Sequence, residues 1–316
     1  MTTDAKNVKI ITGTIETFLV LLFVAIFYLV QPVSSSRVIY VPQGSIVKII
    51  HTLKEEVEGI STLDRHLVRL LGQPQRGWID VQYTLQTKAD FYYHLCHSKA
   101  AMESIILLPG ETTYLFLQTL SSALGLDFDV LQAQYRQIAP LSEGFLIPQT
   151  YAIPKGIDAK GLIELLVHFA AKEHERLSMK LYGNYTPTRW KTILIIASIV
   201  EKEAANSAEM PLVASVIYNR LRIGMRLQMD GTLNYGPYSH EKVTPQRIRS
   251  DTTHYNTYKQ KGLPLEPVCV VSHMAIKAAV TPAKSDFLYF MRNKNGTHDF
   301  TRYFSTHIKN IENVKK

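Results

Sequence analysis

The sequence predicts an α+β protein carried on a single N-terminal membrane-spanning helix. Three observations lead there. Residues 18–30 read FLVLLFVAIFYLV, without a charged side chain. Behind that run, short apolar segments at 38–41 and 105–109 alternate with stretches of helical periodicity, so strands and helices are mixed along the chain. Residues 193–200 are apolar except for Ser198, which covers every side of a helix and marks it as central and buried. Composition sets the outer bounds. With 46% hydrophobic and 20% charged residues the chain is not disordered, and its two cysteines exclude a disulfide framework or a Cys-rich zinc module. A length of 316 residues suits roughly two domains.

Taken in order, the uncharged run extends from Thr17 to Ser36, and a bilayer core of about 30 Å needs roughly 20 residues of helix. No small-residue cleavage site follows, only QPVSSSR, so an uncleaved anchor is expected rather than a signal peptide. Lys6 and Lys9 nearly balance Arg37 and Lys48 across the span, so charge alone leaves orientation open. The expected division is a tail at 1–16, an anchor at 17–36, a small unit at 37–90 and a large domain at 91–316.

In the small unit, VIYV at 38–41 reads as a strand and Ser45 as the N-cap of a helix from Ile46 to about Glu58. A second helix is expected over Thr62–Leu71 and a strand over 78–85, giving a β-α-α-β unit. The large domain opens with a strand at 105–109, closed by Pro109–Gly110. Thr112 caps a helix through Ala123, another helix spans about Asp129–Gln137, and 143–151 has loop and strand character. A long helix covers 159–182, with Leu162, Leu165, Leu166, Phe169 and Leu177 as its apolar stripe. Thr186–Pro187 starts the buried helix as N-cap and first helical residue. A further helix runs from Leu212 to about Arg222 and stops at Gly224.

The buried helix runs into Glu201 and Glu203, about 200° apart, so the two carboxylates do not share a face. Glu201 at the wall of a cleft would be a general acid whose pKa is raised by desolvation. The simpler reading is a solvated helix tip, since Glu is mostly exposed. Glu203 is expected in an ion pair with Arg220, Arg222 or Arg226. Residues 227–236 (LQMDGTLNYG) and 255–264 (YNTYKQKGLP) are rich in amides and tyrosines, the groups that hydrogen-bond sugar hydroxyls and stack on sugar rings. Such residues also dominate ordinary turns.

At this point the residues resemble a known family. Ala197–Glu203 (ASIVEKE), Asn219–Gly236, YNTY with GLP (Tyr255 to Pro264), Pro282–Phe290, and Gly296, His298, Phe300 and His307 are similar to signatures of the membrane-bound endolytic murein transglycosylases, the MltG or YceG-like family. LLPGET at 107–112, EGFLIPQTY at 143–151 and the YVPQGS start add to it. Departures occur at Gly231, at Val270–Ser272 and at Gln149, and none is expected to touch Glu201. The resemblance implies a LysM-like small subdomain and a mixed α+β catalytic domain. It implies endolytic cleavage of the β-1,4 bond between N-acetylmuramic acid and N-acetylglucosamine, leaving a 1,6-anhydromuramic end and terminating nascent strand elongation. Glu201 is then the catalytic acid and base, and Gln228, Tyr235, Tyr255, Asn256 and Tyr258 bind substrate. The tail at 1–16 is then cytoplasmic. The location implied is the inner membrane, single-pass, with the catalytic domain on the periplasmic side. Peptidoglycan strands, the membrane and peptidoglycan synthases are the implied partners.

The rival readings are a true muramidase pairing Glu201 with Asp230, and a non-catalytic peptidoglycan-binding scaffold. No cofactor is expected; His94/His97 and Cys269/His273 lack further partners at metal spacing. The chain's net charge is +8, and its surplus lies in residues 186–316, where 19 basic against 10 acidic groups give +9. That surplus fits an anionic glycan with peptide stems, and no basic run is dense enough for nucleic acid. Whether Cys96 and Cys269 pair is open at this stage.

Overall fold

The computed structural model describes residues 2–315, with side chains placed for 11–314. It has two compact units: one runs to Glu103 and takes in Pro154–Gly156, and the other comprises Ser104–Ile153 and the chain from Ile157 onward.

The first unit begins with α1 (Thr2–Leu29). Its stretch Ile11–Leu29 has a mean hydropathy of 2.0 and none of it is buried against protein, so it is long and apolar enough to cross a membrane. The helix stops short of the expected end at residue 36. Pro32 cannot continue it, because it has no N–H and its ring would meet the Tyr28 carbonyl. Instead Pro32–Ser34 form strand β1. There follow β2 (Val38–Val41), α2 (Ile46–Glu56), a 3-10 turn at Thr62–Asp64 leading into α3 (Arg65–Leu71), β3 (Gly77–Asp80), β4 (Leu85–Thr87) and α4 (Lys88–His97). β2 pairs antiparallel with β3, Ile39 opposite Ile79, which completes the β-α-α-β unit. β1 pairs antiparallel with β4, Ser34 opposite Leu85. Ser45 caps α2 as expected, accepting from the Lys48 N–H. The strand expected over 78–85 breaks after Asp80: Gln82 takes a φ of 71° and gives its N–H to Asp80 Oδ1 at 2.8 Å. Ile39, Ile49, Leu53, Ile79, Phe91 and Leu95 make the unit's own core.

The second unit takes up most of β5 (Met102–Ile106), then α5 (Thr113–Leu124), α6 (Phe128–Ile138), β6 (Thr150–Pro154), α7 (Ala159–Tyr182), α8 (Pro187–Glu203), α9 (Met210–Arg222), α10 (Pro245–Ser250), α11 (His273–Val280), β7 (Tyr289–Arg292), β8 (His298–Thr301) and α12 (Phe304–Lys315). β5 pairs with β6 and β7 with β8, so the strands are joined two by two rather than in one sheet. Every residue of α8 from Ile193 to Val200 is buried, and the helix packs on α9 and α11 as the centre of the unit. Its start differs in one detail: Thr186 makes no side-chain cap bond, leaving Pro187 to set the first turn. α7 buries Leu162, Leu166, Ala170, His174 and Leu177, one face at spacings of four and three, while Leu165 and Phe169 of the expected stripe stay more than a third exposed.

Candidate active site

α8 delivers Glu201 to the rim of the core. The last buried residue is Val200, and Glu201 is half-buried. Its Oε2 accepts the Ser272 N–H at 2.8 Å and the Ser272 hydroxyl at 2.6 Å. Ser272 is the N-cap of α11, and its Oγ also accepts the Ala275 N–H at 3.1 Å. One carboxylate oxygen is therefore seated where a helix presents its free N–H groups, while Oε1 makes no hydrogen bond among the described residues. Ser272 lies in one of the departures expected not to reach Glu201, and that expectation is corrected here. Its side chain is the one that orients the carboxylate.

The loop at 107–112 forms the next wall. Gly110 gives its N–H to Val270 O, and Val270 gives its own to Glu111 O, both at 2.8 Å. A Cβ on Gly110 would lie 3.9 Å from Glu201 Cγ, so backbone runs close beside the carboxylate stem. Glu111 is tied to His240 Nε2 at 2.9 Å and to the Thr112 N–H at 2.8 Å. Burial would raise its pKa, but bonds to His240, the Thr112 N–H and Ser239 outweigh that and lower it. Lys202 gives its ammonium to Ser239 Oγ at 2.9 Å, and the Thr112 hydroxyl reaches Gly236 O at 2.7 Å. Two loops far apart in sequence are stitched together beside Glu201.

Glu143 braces this region from below. Its Oε1 accepts the Thr113 N–H, the Thr113 hydroxyl and the Gly144 N–H at 2.7–2.8 Å. Burial nevertheless pushes its pKa from 4.5 up to about 7. The folded protein then holds a proton that the unfolded chain has already released. Its contribution is fully present below about pH 4.5 and is lost as pH rises through 7. Thermal stability should fall across that window, by an amount of roughly 3 kcal/mol for a shift of this size. Glu143→Gln, which keeps the acceptor, should make the profile shallower in a series of melts; an unchanged slope would remove Glu143 as one of its causes.

Glu203 points the other way, as the helical angle predicts. Its Oε1 accepts the Gly231 N–H at 2.6 Å, and burial, aided by Asp230, pushes its pKa up to about 7. The expected ion pair is not formed. Arg220 gives its guanidinium to the carbonyls of Leu288, at 2.6 Å, and Leu227, and Glu203 has no ion-pair partner among the described residues. A Cβ on Gly231 would come within 2.6 Å of Lys202 Cβ, so glycine is required there. On this side lies a cavity of about 440 Å³ lined by Glu203, Arg220, Gln228, Asp230, Tyr258 and Tyr289, among others.

The five expected substrate-binding residues divide accordingly. Gln228, exposed and held at a φ of 47°, and Tyr258, whose hydroxyl reaches Asp230 Oδ1 at 2.5 Å, line the cavity. Tyr235 and Tyr255 stack on each other at 4.4 Å, with their hydroxyls on Asp251 and the Pro267 carbonyl. Asn256 is fully buried, its amide shared between the Ile248 and Asp251 carbonyls and the Tyr258 N–H. These three shape the loops that carry the first two. Both cysteines are free thiols, and no cluster of three metal-ligating side chains occurs among the described residues.

Fold and site define an α+β protein built around one buried helix that ends in a seated carboxylate. Residues 39–313 match the YceG-like family, and the chain belongs to that family. It is 32% identical over 169 residues to the endolytic murein transglycosylase of Bacillus subtilis, covering 53% of this chain and 46% of that protein. It is 31% identical over 182 residues to the protein of the same name from Streptococcus pneumoniae, covering 52% and 32%. The chain thus spans less than half the length of these curated relatives. A crystal structure of a YceG-like protein from Listeria monocytogenes matches with a TM-score of 0.57 at 23% identity, over 87% of this chain and 99% of that one, a likeness of fold.

Proposed function

We propose that this chain is a membrane-anchored endolytic lytic transglycosylase of peptidoglycan, with Glu201 as its single acid and base. The observation that carries this is the seating of Glu201: one oxygen held by Ser272, the other left for the proton. The names of the relatives support the substrate class. Oε1 protonates the glycosidic oxygen as the bond to the muramic C1 breaks, and the N-acetylglucosamine end leaves as an alcohol. The resulting carboxylate takes the proton of the muramic C6 hydroxyl, whose oxygen closes on C1. No water is consumed, and the intramolecular attack gains from proximity. This explains why one carboxylate suffices where a hydrolase needs two. Gln228 and Tyr258 bind sugar, and Tyr235, Tyr255 and Asn256 hold their loops. α1 anchors the chain in the inner membrane with the catalytic unit on the periplasmic side, the β-α-α-β unit is LysM-like, and cleavage ends nascent strands made by neighbouring synthases.

Ser272→Ala removes the hydroxyl's hydrogen bond to the carboxylate and the N-cap bond from the Ala275 N–H, and leaves the backbone N–H bond to Glu201 in place. Bonds to charged groups contribute about 1.5–3 kcal/mol, so turnover should drop roughly ten- to a hundredfold. Sacculus binding should hold, and Ser272→Thr should restore most of the rate. Equal activity in all three proteins would contradict the seating role.

A second reading is favoured by one observation. Glu203, at about 7, shares its cavity with Asp230, the two-carboxylate arrangement of a muramidase. Mass spectrometry of the products separates them. Transglycosylation leaves anhydro ends lighter by one water than the reducing ends of hydrolysis, and reducing ends as the main product would favour the second reading.

A further inference from the structure

Asp64 is fully enclosed in the first unit and surrounded by donors. Its Oδ1 accepts the Tyr28 hydroxyl at 2.6 Å; its Oδ2 accepts the Ser61 N–H at 2.7 Å and the Tyr92 hydroxyl at 2.9 Å. Lys88, itself buried, lies 3.3 Å from both oxygens and 4.2 Å from the centre of the Tyr28 ring. The Tyr28 oxygen is also 2.6 Å from Ser61 Oγ. Buried charges are tolerated only when their hydrogen bonds are complete, and Tyr28 supplies one of them.

Tyr28 stands one residue before the end of α1, in the last turn of the stretch able to span a membrane. The chain that follows has no slack. Gln31 O accepts the Lys88 N–H at 2.8 Å, β1 begins at Pro32, and Ser35 gives its N–H to Thr84 O at 2.9 Å. The end of α1 is therefore part of the unit, not tethered to it. A tyrosine at the end of a span sits at the level of the lipid headgroups. The turn at 61–64, bonded to that tyrosine, must lie at the same level. Leu63 in that turn is 61% exposed, and Leu85, opposite Ser34 in the β1–β4 pair, is 68% exposed. Large apolar side chains beside the exit of a membrane-spanning helix are suited to the bilayer interface.

We propose that the first unit is seated on the lipid surface, with Leu63 and Leu85 dipping into the bilayer interface and the Tyr28–Asp64–Lys88 cluster holding it there. This rests on the reading of α1 as a membrane anchor. The occupant is lipid because the helix that positions these leucines is the one that would enter the bilayer.

The test uses the full chain in nanodiscs, with Cys96→Ser; Cys269 is fully buried and escapes labelling. Single cysteines replace Leu63, Leu85, Phe23 or Val47 and carry an environment-sensitive fluorophore. Lipids brominated along the acyl chains serve as quenchers. Probes at 63 and 85 should lose most of their emission relative to ordinary lipid. The probe at Val47, in the first turn of α2 beyond the far end of β2, should keep it. Quenching at Phe23 without quenching at 63 and 85 would overturn the seating alone, while silence at Phe23 as well would overturn the membrane anchor itself. A blue shift at 63 and 85 without quenching would mean that protein covers them, which also overturns the proposal. Asp64→Asn, or Tyr28→Phe if the former fails to fold, should lower quenching at 63 but not at Phe23. Unchanged quenching at 63 would show that the cluster does not hold the unit in place.

Discussion

Glu201→Gln should abolish the release of anhydromuropeptides from purified sacculi while leaving the fold intact. The substitution is isosteric, and the amide oxygen can still accept both hydrogen bonds from Ser272, so α11 keeps its start. What disappears is the proton for the leaving oxygen and the base for the C6 hydroxyl. General acid–base catalysis contributes about 10²- to 10⁴-fold per transferred proton. Here both transfers pass through one group, so the loss should reach the upper part of that range. Sacculus binding should survive, because the loop residues that line the cavity are untouched. A drop in binding with an unchanged rate would mean that Glu201 serves the substrate's ground state, not its cleavage.

Gly144→Ala should be the most destabilising single methyl in the second unit. Gly144 has a φ of +68°, which costs an alanine about 1–2 kcal/mol. Its new Cβ would lie 2.5 Å from Pro267 Cβ and 2.6 Å from the Cys269 carbonyl oxygen, both far inside contact distance. Overpacking of this kind adds about 1–3 kcal/mol, for a total of about 2–5 kcal/mol. The clash bears on function as well. Pro267–Cys269 leads directly into Ser272, and Gly144 donates its N–H to Glu143. Relief of the strain should move the segment that seats Glu201, so turnover should fall along with stability. Urea melts measure the first effect and sacculus digestion the second; a loss below about 1 kcal/mol would mean that the segment yields freely.

Much of the fold was legible because local signals coincided with local structure. Ser45 and Thr112 cap the helices expected of them, α7 spans the whole of 159–182, and the all-round apolar run of α8 is the most buried helix segment in its unit. The two glutamates were separated correctly because 100° per residue is a property of the helix itself. Errors arose where distant residues decide. Pro32 ends α1, yet the strand it enters is defined by partners at 85–87. The Glu203 ion pair was expected from nearby arginines, but Arg220 is consumed by carbonyls at 227 and 288. Ser272 reaches Glu201 across 71 residues, and Thr112 reaches Gly236 across 124. Glu143 carried only a motif, and its three donors are set by the meeting of α5 with a loop. Gln228, Tyr235, Tyr255, Asn256 and Tyr258 look alike in sequence, and only packing separates the two that line the cavity from the three that brace it.

The sharpest measurement is a count of 1,6-anhydromuramic ends released from sacculi by three folded proteins: the wild type, Glu201→Gln and Glu203→Gln. The expected result is that the wild type produces anhydro ends, Glu201→Gln produces none above background, and Glu203→Gln keeps substantial activity. An active Glu201→Gln protein, or a dead Glu203→Gln protein beside it, would contradict the assignment of Glu201 as the acid.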